Sequence, residues 1–111
     1  MHTQYIDLQS PSPGTRQSLT VLRFGAPCRG PKAYIQGALH ADEVPAILVA
    51  RQLAQMLEEL EARGALLGEV VLVPFANPIG LAQHNLGQLQ GRFDQRDGRN
   101  FNRGYADLAA A

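Results

Sequence analysis

The chain has 111 residues, 45% of them hydrophobic, which fits one small globular domain and argues against a disordered chain. Ten basic residues balance ten acidic ones, so no strong positive charge favours nucleic acid as a partner. The apolar runs are too short to cross a bilayer, and the single cysteine excludes an internal disulfide and suits a reducing compartment. We therefore expect a cytoplasmic protein without a nucleic-acid or membrane partner.

The first third of the chain predicts a loop followed by two strands. The polar run over residues 1–16 contains a Pro-Ser-Pro-Gly turn and is expected to be a leader loop, ahead of an α/β portion at 17–111. Alternating apolar residues indicate a strand at 18–24, and a short apolar run indicates a buried strand at 32–36. Because about seven residues separate them, the pattern favours a hairpin-like antiparallel pairing of these two strands.

The middle third predicts a helix followed by a buried strand. The helix is expected over residues 43–63, with Pro45 in its first turn and Gly64 as its stop. Apolar residues at helical spacing form its expected buried stripe: Val49, Leu53, Met56, Leu57 and Leu60. Residues 69–75 are almost continuously apolar, as in a strand buried on both faces. Strand, helix and strand form a crossover unit, in which ligands gather beyond the carboxyl ends of the strands.

The first chemical feature lies between the second strand and the helix. His40 and Glu43 are three residues apart and can converge on a metal ion, because zinc prefers imidazole and carboxylate ligands at about 2 Å. The positive end of the helix dipole would also help to keep Glu43 ionised. The alternative is an ordinary loop histidine followed by two acids, Asp42 and Glu43, that cap the helix. The position directly after a strand favours the metal site.

The second chemical feature is an arginine-rich stretch at 91–103, which holds four of the nine arginines of the chain. The planar guanidinium fork suits bidentate binding of a carboxylate, and an asparagine amide adds a directed donor. Arg92, Asn102 and Arg103 could therefore hold an anionic group and polarise a carbonyl. The alternative is a solvated loop whose charge is neutralised by Asp94 and Asp97.

Taken in chain order, these features resemble the succinylglutamate desuccinylase/aspartoacylase family, a branch of the zinc carboxypeptidase superfamily. The resemblance extends from Ala33 to Tyr105 and rests on segments 37–43, 74–80, 91–92 and 100–103. It implies the N-terminal portion of a carboxypeptidase-like α/β/α sandwich with a mixed sheet.

The resemblance also implies roles for particular residues. His40 and Glu43 would be two ligands of one zinc ion, and Asn102 with Arg103 would bind the substrate carboxylate. Arg92 would polarise the scissile carbonyl, with Arg96 as the second choice. The third zinc ligand, a histidine, and the catalytic glutamate are expected downstream of Ala111. His84, the remaining histidine after Glu43, is expected in an exposed loop.

The implied activity is that of a zinc-dependent hydrolase of the deacylase or carboxypeptidase type. It would cleave an amide bond in a carboxylate-bearing N-acyl amino acid or peptide-like substrate. The 111-residue chain is expected to be the N-terminal part of one catalytic domain and to be inactive alone. The alternative is a non-catalytic carboxylate-binding or assembly module. In either case, an exposed sheet edge could let the chain self-associate.

Overall fold

The chain forms a four-stranded mixed β-sheet, one long helix that packs on it and a loop-rich C-terminal third. The computed structural model describes residues 1–107 and 109. Its strands and helices are, in chain order, β1 His2–Asp7, β2 Ser18–Gly25, β3 Lys32–Gln36, α1 Pro45–Ala62, β4 Glu69–Val73, α2 Pro78–Leu81, β5 His84–Asn85 and β6 Gln88–Leu89. The predicted α/β fold with a mixed sheet is confirmed.

The strand order of the sheet is β1-β2-β4-β3, so the predicted pairing of β2 with β3 is wrong. Both strands pair with β4 instead, β2 antiparallel and β3 parallel. The connection between them crosses the start of β4, where the Glu69 N–H donates to the Pro31 carbonyl oxygen (3.0 Å). The physical reason is burial: β4 is the most apolar strand, and a central position pairs both of its edges and surrounds its side chains with those of two neighbouring strands.

The prediction of a leader loop over 1–16 is wrong for its first half. Residues His2–Asp7 form β1, which pairs antiparallel with β2 and places His2 opposite Arg23. Nearly every β1 side chain is exposed, because β1 is an edge strand held mainly by backbone hydrogen bonds. An edge strand of this kind needs few apolar residues, so the polar composition concealed it.

The core lies on both faces of the sheet. On one face Phe24 and Leu72 pack against Ala50 and Leu57 of α1. The other face is covered less, and its buried cluster consists of Val21, Val71 and Val73. The prediction that β4 is buried is confirmed, since four of its five residues are buried. No helix within residues 1–107 and 109 is long and apolar enough to cross a membrane.

Two predictions about burial are wrong on the side of the sheet where β3 lies. Every residue of β3 is exposed, because β3 is the second edge strand. Val49 and Met56, two members of the predicted helical stripe, are 68% and 57% exposed. The helix α1 packs on β2 and β4 through Ala50 and Leu57. The neighbouring part of its apolar surface, which includes Val49 and Met56, contacts no other layer among the described residues.

The crossover unit β3-α1-β4 places two loops at one edge of the sheet. Because β3 and β4 are parallel, their carboxyl ends meet there, and the chain leaves them through residues 37–44 and 74–77. The predicted helix at 43–63 begins two residues later, at Pro45, and ends at Ala62. This edge, called the rim below, is where the expected zinc ligands lie.

Candidate metal and substrate site

Backbone hydrogen bonds continue past the strands and fix the loop that carries His40. The Gly37 N–H donates to the Val73 carbonyl oxygen (3.0 Å), and the Ala76 N–H donates to the Gly37 carbonyl oxygen (2.8 Å). The side chain of Asn77 is buried and bridges two loops, since its Nδ2 donates to the Leu39 carbonyl oxygen (2.8 Å) while its Oδ1 accepts from the Gly80 N–H (2.8 Å). The position of His40 is therefore set before any ligand binds.

Close backbone packing brings the arginine-rich stretch onto this loop. The Ala41 N–H donates to the Gly91 carbonyl oxygen (2.9 Å). A Cβ atom added to Gly91 would lie 2.4 Å from the Asp42 backbone nitrogen, so only glycine allows this approach. The contact joins residues fifty apart in sequence and places the next residue, Arg92, beside His40.

His40, Glu43 and Arg92 form one cluster at the rim. The Nδ1 atom of His40 lies 3.3 Å from Oε1 of Glu43. The guanidinium of Arg92 contacts both, with Nη1 at 3.0 Å from His40 Nδ1 and Nη2 at 2.8 Å from Glu43 Oε1. His40 is buried, whereas Glu43 and Arg92 are about half exposed.

Asn100 fixes the tautomer of His40. The Asn100 Oδ1 atom accepts the Asn102 backbone N–H (2.9 Å), which identifies that atom as the amide oxygen. The same oxygen lies 2.8 Å from His40 Nε2, so Nε2 carries the proton and donates it. In the neutral imidazole this leaves the lone pair on Nδ1, the atom that faces Glu43 and Arg92.

This geometry fits a metal ion. In this tautomer Nδ1 of His40 and Oε1 of Glu43 are both acceptors, 3.3 Å apart, and the guanidinium of Arg92 is the cation that faces both of them. Two ligands at about 2.0–2.1 Å from a tetrahedral zinc ion would be separated by about the same distance. The hydrogen bond from Nε2 to Asn100 is also the outer contact that zinc-binding histidines normally have. Within residues 1–107 and 109, no group of three His, Cys, Asp or Glu side chains could hold a metal ion, so a further ligand would be needed.

The interpretation of Asp42 and Glu43 as helix caps is wrong. The N-cap residue of α1 is Val44, and no side chain caps it. Asp42 instead lies near Arg92, with 3.8 Å between its Oδ2 and the Nε atom. Both acids therefore face the arginine of the cluster and do not serve the helix.

The alternative of an internally neutralised loop holds for two of the four arginines. Arg96 pairs with Asp94 (2.7 Å) and Arg99 pairs with Asp97 (2.7 Å). The hydrogen bonds from the Arg96 side chain and backbone lower the pKa of Asp94 to about 2. Arg96, the second choice for polarising a carbonyl, is thus held away from His40 by Asp94.

The two residues expected to bind the substrate carboxylate lie in different cavities. Asn102 lines a cavity of about 300 Å³ together with His40, Glu43 and Tyr105. Arg103 lines a separate cavity of about 280 Å³ together with Arg96 and Arg99, and its Nη1 donates to the Asn102 carbonyl oxygen (2.7 Å). The structure therefore brings Asn102 to His40 but does not bring Arg103 there.

Sequence reasoning assigned no role to Asn100 or Tyr105. The Tyr105 hydroxyl donates to Oδ1 of Asn102 at the wall of the His40 cavity. The spacing of Asn100 and Asn102 is typical of an Asx turn, which could have indicated that the first side chain is held in place. It could not have identified His40 as the partner. His84 is exposed, as expected, but it lies in the short strand β5 and not in a loop. Cys28 is exposed as well.

Comparisons with known proteins identify the family of the chain. The family model of the succinylglutamate desuccinylase/aspartoacylase catalytic domain matches residues 29–110. A comparison with curated proteins gives no match. Among solved structures, a protein from Shewanella amazonensis SB2B that is assigned to this family superposes with a TM-score of 0.78 at 37% sequence identity, over 96% of this chain and 28% of that chain.

Two further structures show the same relationship. A protein from Shewanella frigidimarina, assigned to the same two activities, has a TM-score of 0.78 at 29% identity, and the match covers 96% of this chain and 28% of that chain. An aspartoacylase family protein from Mesorhizobium loti has a TM-score of 0.67 at 26% identity, over 92% of this chain and 29% of that chain. The chain spans little more than a quarter of each solved relative. The family model matches most of the chain, which therefore belongs to the succinylglutamate desuccinylase/aspartoacylase family, a family of hydrolases.

Proposed function

We propose that this chain supplies two zinc ligands and part of the substrate cavity of a zinc-dependent hydrolase. The observation that carries the proposal is the pair His40 Nδ1 and Glu43 Oε1, which lie 3.3 Å apart and both accept from one cation. A bound zinc ion would activate water and polarise a carbonyl. A third protein ligand and a general base would have to come from residues other than His40, Glu43 and those that line this cavity.

The cavity supports a small, carboxylate-bearing substrate. Its volume of about 300 Å³ is at the small end of the usual range for ligand sites. Asn102 Nδ2 is an amide donor at its wall, and the Tyr105 hydroxyl holds the other atom of that amide. We propose that Asn102 donates to the substrate carboxylate and that Arg92, at the cluster, donates to the carbonyl oxygen of the scissile amide. An N-acyl amino acid or a peptide-like amide has both groups.

Arg103 can join this site only by turning out of the neighbouring cavity. It forms no ion pair among the described residues, whereas Arg92, Arg96 and Arg99 each face a carboxylate. The guanidinium of Arg103, which bonds only the Asn102 carbonyl oxygen through Nη1 among the described residues, is therefore the one most available to a carboxylate ligand. We expect Arg103→Lys to weaken the binding of a small dicarboxylate by roughly fivefold, because lysine lacks the fork. Arg99→Lys is the matched control, and equal losses in both variants would contradict this role.

The alternative, a carboxylate-binding module without metal, is weaker. Such a module needs several free arginines, but three of the four in this stretch already face carboxylates. It also gives no reason for two acceptors to converge on one cation at the rim.

A zinc titration followed by calorimetry tests the metal site. We expect weak binding by the chain, with His40→Ala and Glu43→Gln each reducing the affinity by roughly tenfold or more, since each removes one of two ligands. His84→Ala is the control, because His84 is an exposed histidine in the β5–β6 hairpin. Zinc binding that is the same with and without His40 would show that the assignment is wrong.

A further inference from the structure

Arg92 occupies the place that a metal ion would need. Its guanidinium donates to Nδ1 of His40 (3.0 Å) and to Oε1 of Glu43 (2.8 Å), so one planar cation bridges the two proposed ligands. Nδ1 has a single lone pair, which it can offer either to an N–H group or to a metal ion. The bridging position of Arg92 and a metal bound to the same two atoms therefore exclude each other.

A second acceptor, the carboxylate of Asp42, lies beside Arg92. Oδ2 of Asp42 lies 3.8 Å from Nε, too far for a hydrogen bond but close enough for an ion pair. Asp42 and Arg92 also line a cavity of about 290 Å³ on the side where Phe93 and Asp94 lie, separate from the one that contains His40 and Glu43. The side chain thus has both space and a carboxylate partner when it leaves the ligands.

We propose that Arg92 acts as an internal cation that holds His40 and Glu43 together, and that its guanidinium must turn toward Asp42 before the same two atoms could bind a metal. This inference rests on the proposed function, because it takes His40 and Glu43 as the ligands. It adds an order of events: the fork of Arg92 becomes free for a substrate carbonyl only after the metal has taken its place. An enzyme without metal would then also lack its carbonyl-binding arginine.

The first experiment measures zinc affinity by calorimetry in four proteins: the unchanged chain, Arg92→Met, Arg92→Lys and Arg99→Met. We expect Arg92→Met to bind zinc about five- to tenfold more tightly, because the competing bidentate cation is gone. Arg92→Lys should bind about threefold more tightly, since lysine keeps the charge but cannot bridge both ligands. Arg99→Met, which removes a charge paired with Asp97 in the same stretch, should leave the affinity unchanged.

The Arg92→Lys variant shows whether Arg92 competes with zinc by bridging both ligands or only through its positive charge. If Arg92 acted only through its positive charge, Arg92→Lys would bind zinc as the unchanged chain does, and the inference would be overturned. Equal affinity in Arg92→Met and the unchanged chain would overturn it as well, while the dependence of binding on His40 left the proposed function standing. Absence of zinc binding in all four proteins would overturn both.

The second experiment follows the metal-free state. The ¹⁵N chemical shift of the imidazole reports the bond that Nδ1 accepts, so Arg92→Met should move the Nδ1 signal of His40 before zinc is added. After saturation with zinc, the two proteins should give the same signal. A metal-free signal that does not change would show that Arg92 does not contact Nδ1.

Asp42 provides the last test of the displaced position. Asp42→Asn should weaken zinc binding by roughly threefold in the unchanged chain, because the displaced guanidinium loses its partner. In the Arg92→Met background the same change should have a smaller effect, since no guanidinium has to move. Equal effects in both backgrounds would contradict the movement toward Asp42.

Discussion

The rim and the apolar surface along β3 and α1 differ in how fully their side chains find partners. At the rim, His40, Asn77 and Asn100 all have hydrogen-bond partners, and no buried polar side-chain atom in the described residues lacks one. Along β3 and the adjoining face of α1, large apolar side chains stay exposed, among them Tyr34 and Val49. The polar side chains of the rim are therefore fully hydrogen-bonded, whereas the apolar side chains along β3 are only partly buried.

The contrast follows from the two kinds of interaction. Hydrogen bonds are short and directional, so a few loops that cross can satisfy one another within a single chain. Burial of apolar surface depends on area, and among the described residues α1 covers β2 and β4 on one face of the sheet but leaves β3 exposed. The chain therefore fixes the geometry of its candidate site more fully than it fixes its core.

The strongest test of the rim is Gly91→Ala. The new Cβ would lie 2.4 Å from the Asp42 backbone nitrogen, and backbone atoms cannot turn aside as a flexible side chain can. We expect the arginine-rich stretch to lose its contact with His40, with loss of zinc binding and a decrease of about 2–3 kcal/mol in the free energy of unfolding. Urea denaturation and calorimetry measure the two effects.

Gly87→Ala is the matched control for that substitution. Gly87 has a positive φ of 81° in the exposed β5–β6 hairpin, and no atom lies within 4 Å of its added Cβ. It should cost only about 1 kcal/mol, from backbone strain, and leave zinc binding intact. Similar zinc affinities in the two variants would mean that the rim does not depend on close packing at Gly91.

The next test removes the outer contact of the histidine. Asn100→Leu deletes the oxygen that accepts the His40 Nε2 proton, so the Nδ1 tautomer loses its support. We expect zinc affinity to fall by about 10- to 100-fold. Asn100→Asp keeps an acceptor for both His40 and the Asn102 N–H and should retain binding. If the leucine variant bound zinc as well as the aspartate variant, Asn100 would have no positioning role.

A third test concerns the uncovered face, where we propose that the chain associates with itself. The exposed edge of β3 offers unpaired backbone groups, and Ile35 and Val49 line an apolar groove beside it. Val49→Glu should reduce the association constant by about tenfold, because a charge would have to be buried. Sedimentation analysis over a range of concentrations measures this constant.

Leu86→Glu is the control for the uncovered face. Leu86 is 98% exposed in the β5–β6 hairpin, far along the chain from β3, and its substitution should leave association unchanged. A monodisperse monomer at high concentration in the unchanged chain would disprove self-association through this face.

The parts of the fold that the sequence predicted are those in which composition reflects burial. The apolar run of β4 and the helical period of α1 are such signals, and both elements are present. β1 was missed because an exposed edge strand has almost no apolar signature. The pairing of β2 with β4 could not be predicted, since it depends on which strand takes the central position, and that is a property of the whole sheet.

The site was predictable to the extent that family resemblance identified its segments. Spacing indicated His40 and Glu43, and the structure brings them within 3.3 Å of each other. The contact of Arg92 with both residues could not be predicted from spacing, because it depends on the backbone approach at Gly91. The separation of Arg103 from Asn102 was missed for a similar reason: both residues lie in a turn, where consecutive side chains can face different cavities.

The smallest expected effect concerns the pH dependence of stability. It tests whether the ion pairs within the arginine-rich stretch stabilise the folded chain. Arg96 lowers the pKa of Asp94 to about 2, from an ordinary value near 4, and the Asp94 side chain is only 9% exposed. A lowered pKa stabilises the folded state above the unfolded pKa, and that stability is lost as the pH falls from about 4 to about 2. Since Arg96 is 65% exposed and screened by solvent, we expect a loss of about 1 kcal/mol rather than the full shift. Thermal unfolding between pH 5 and pH 2 should therefore show a shallower acid decline in Asp94→Asn than in the unchanged chain. Asp97→Asn, whose carboxylate is more exposed, should change the slope less, and a larger change there would place the closing ion pair at Asp97 instead.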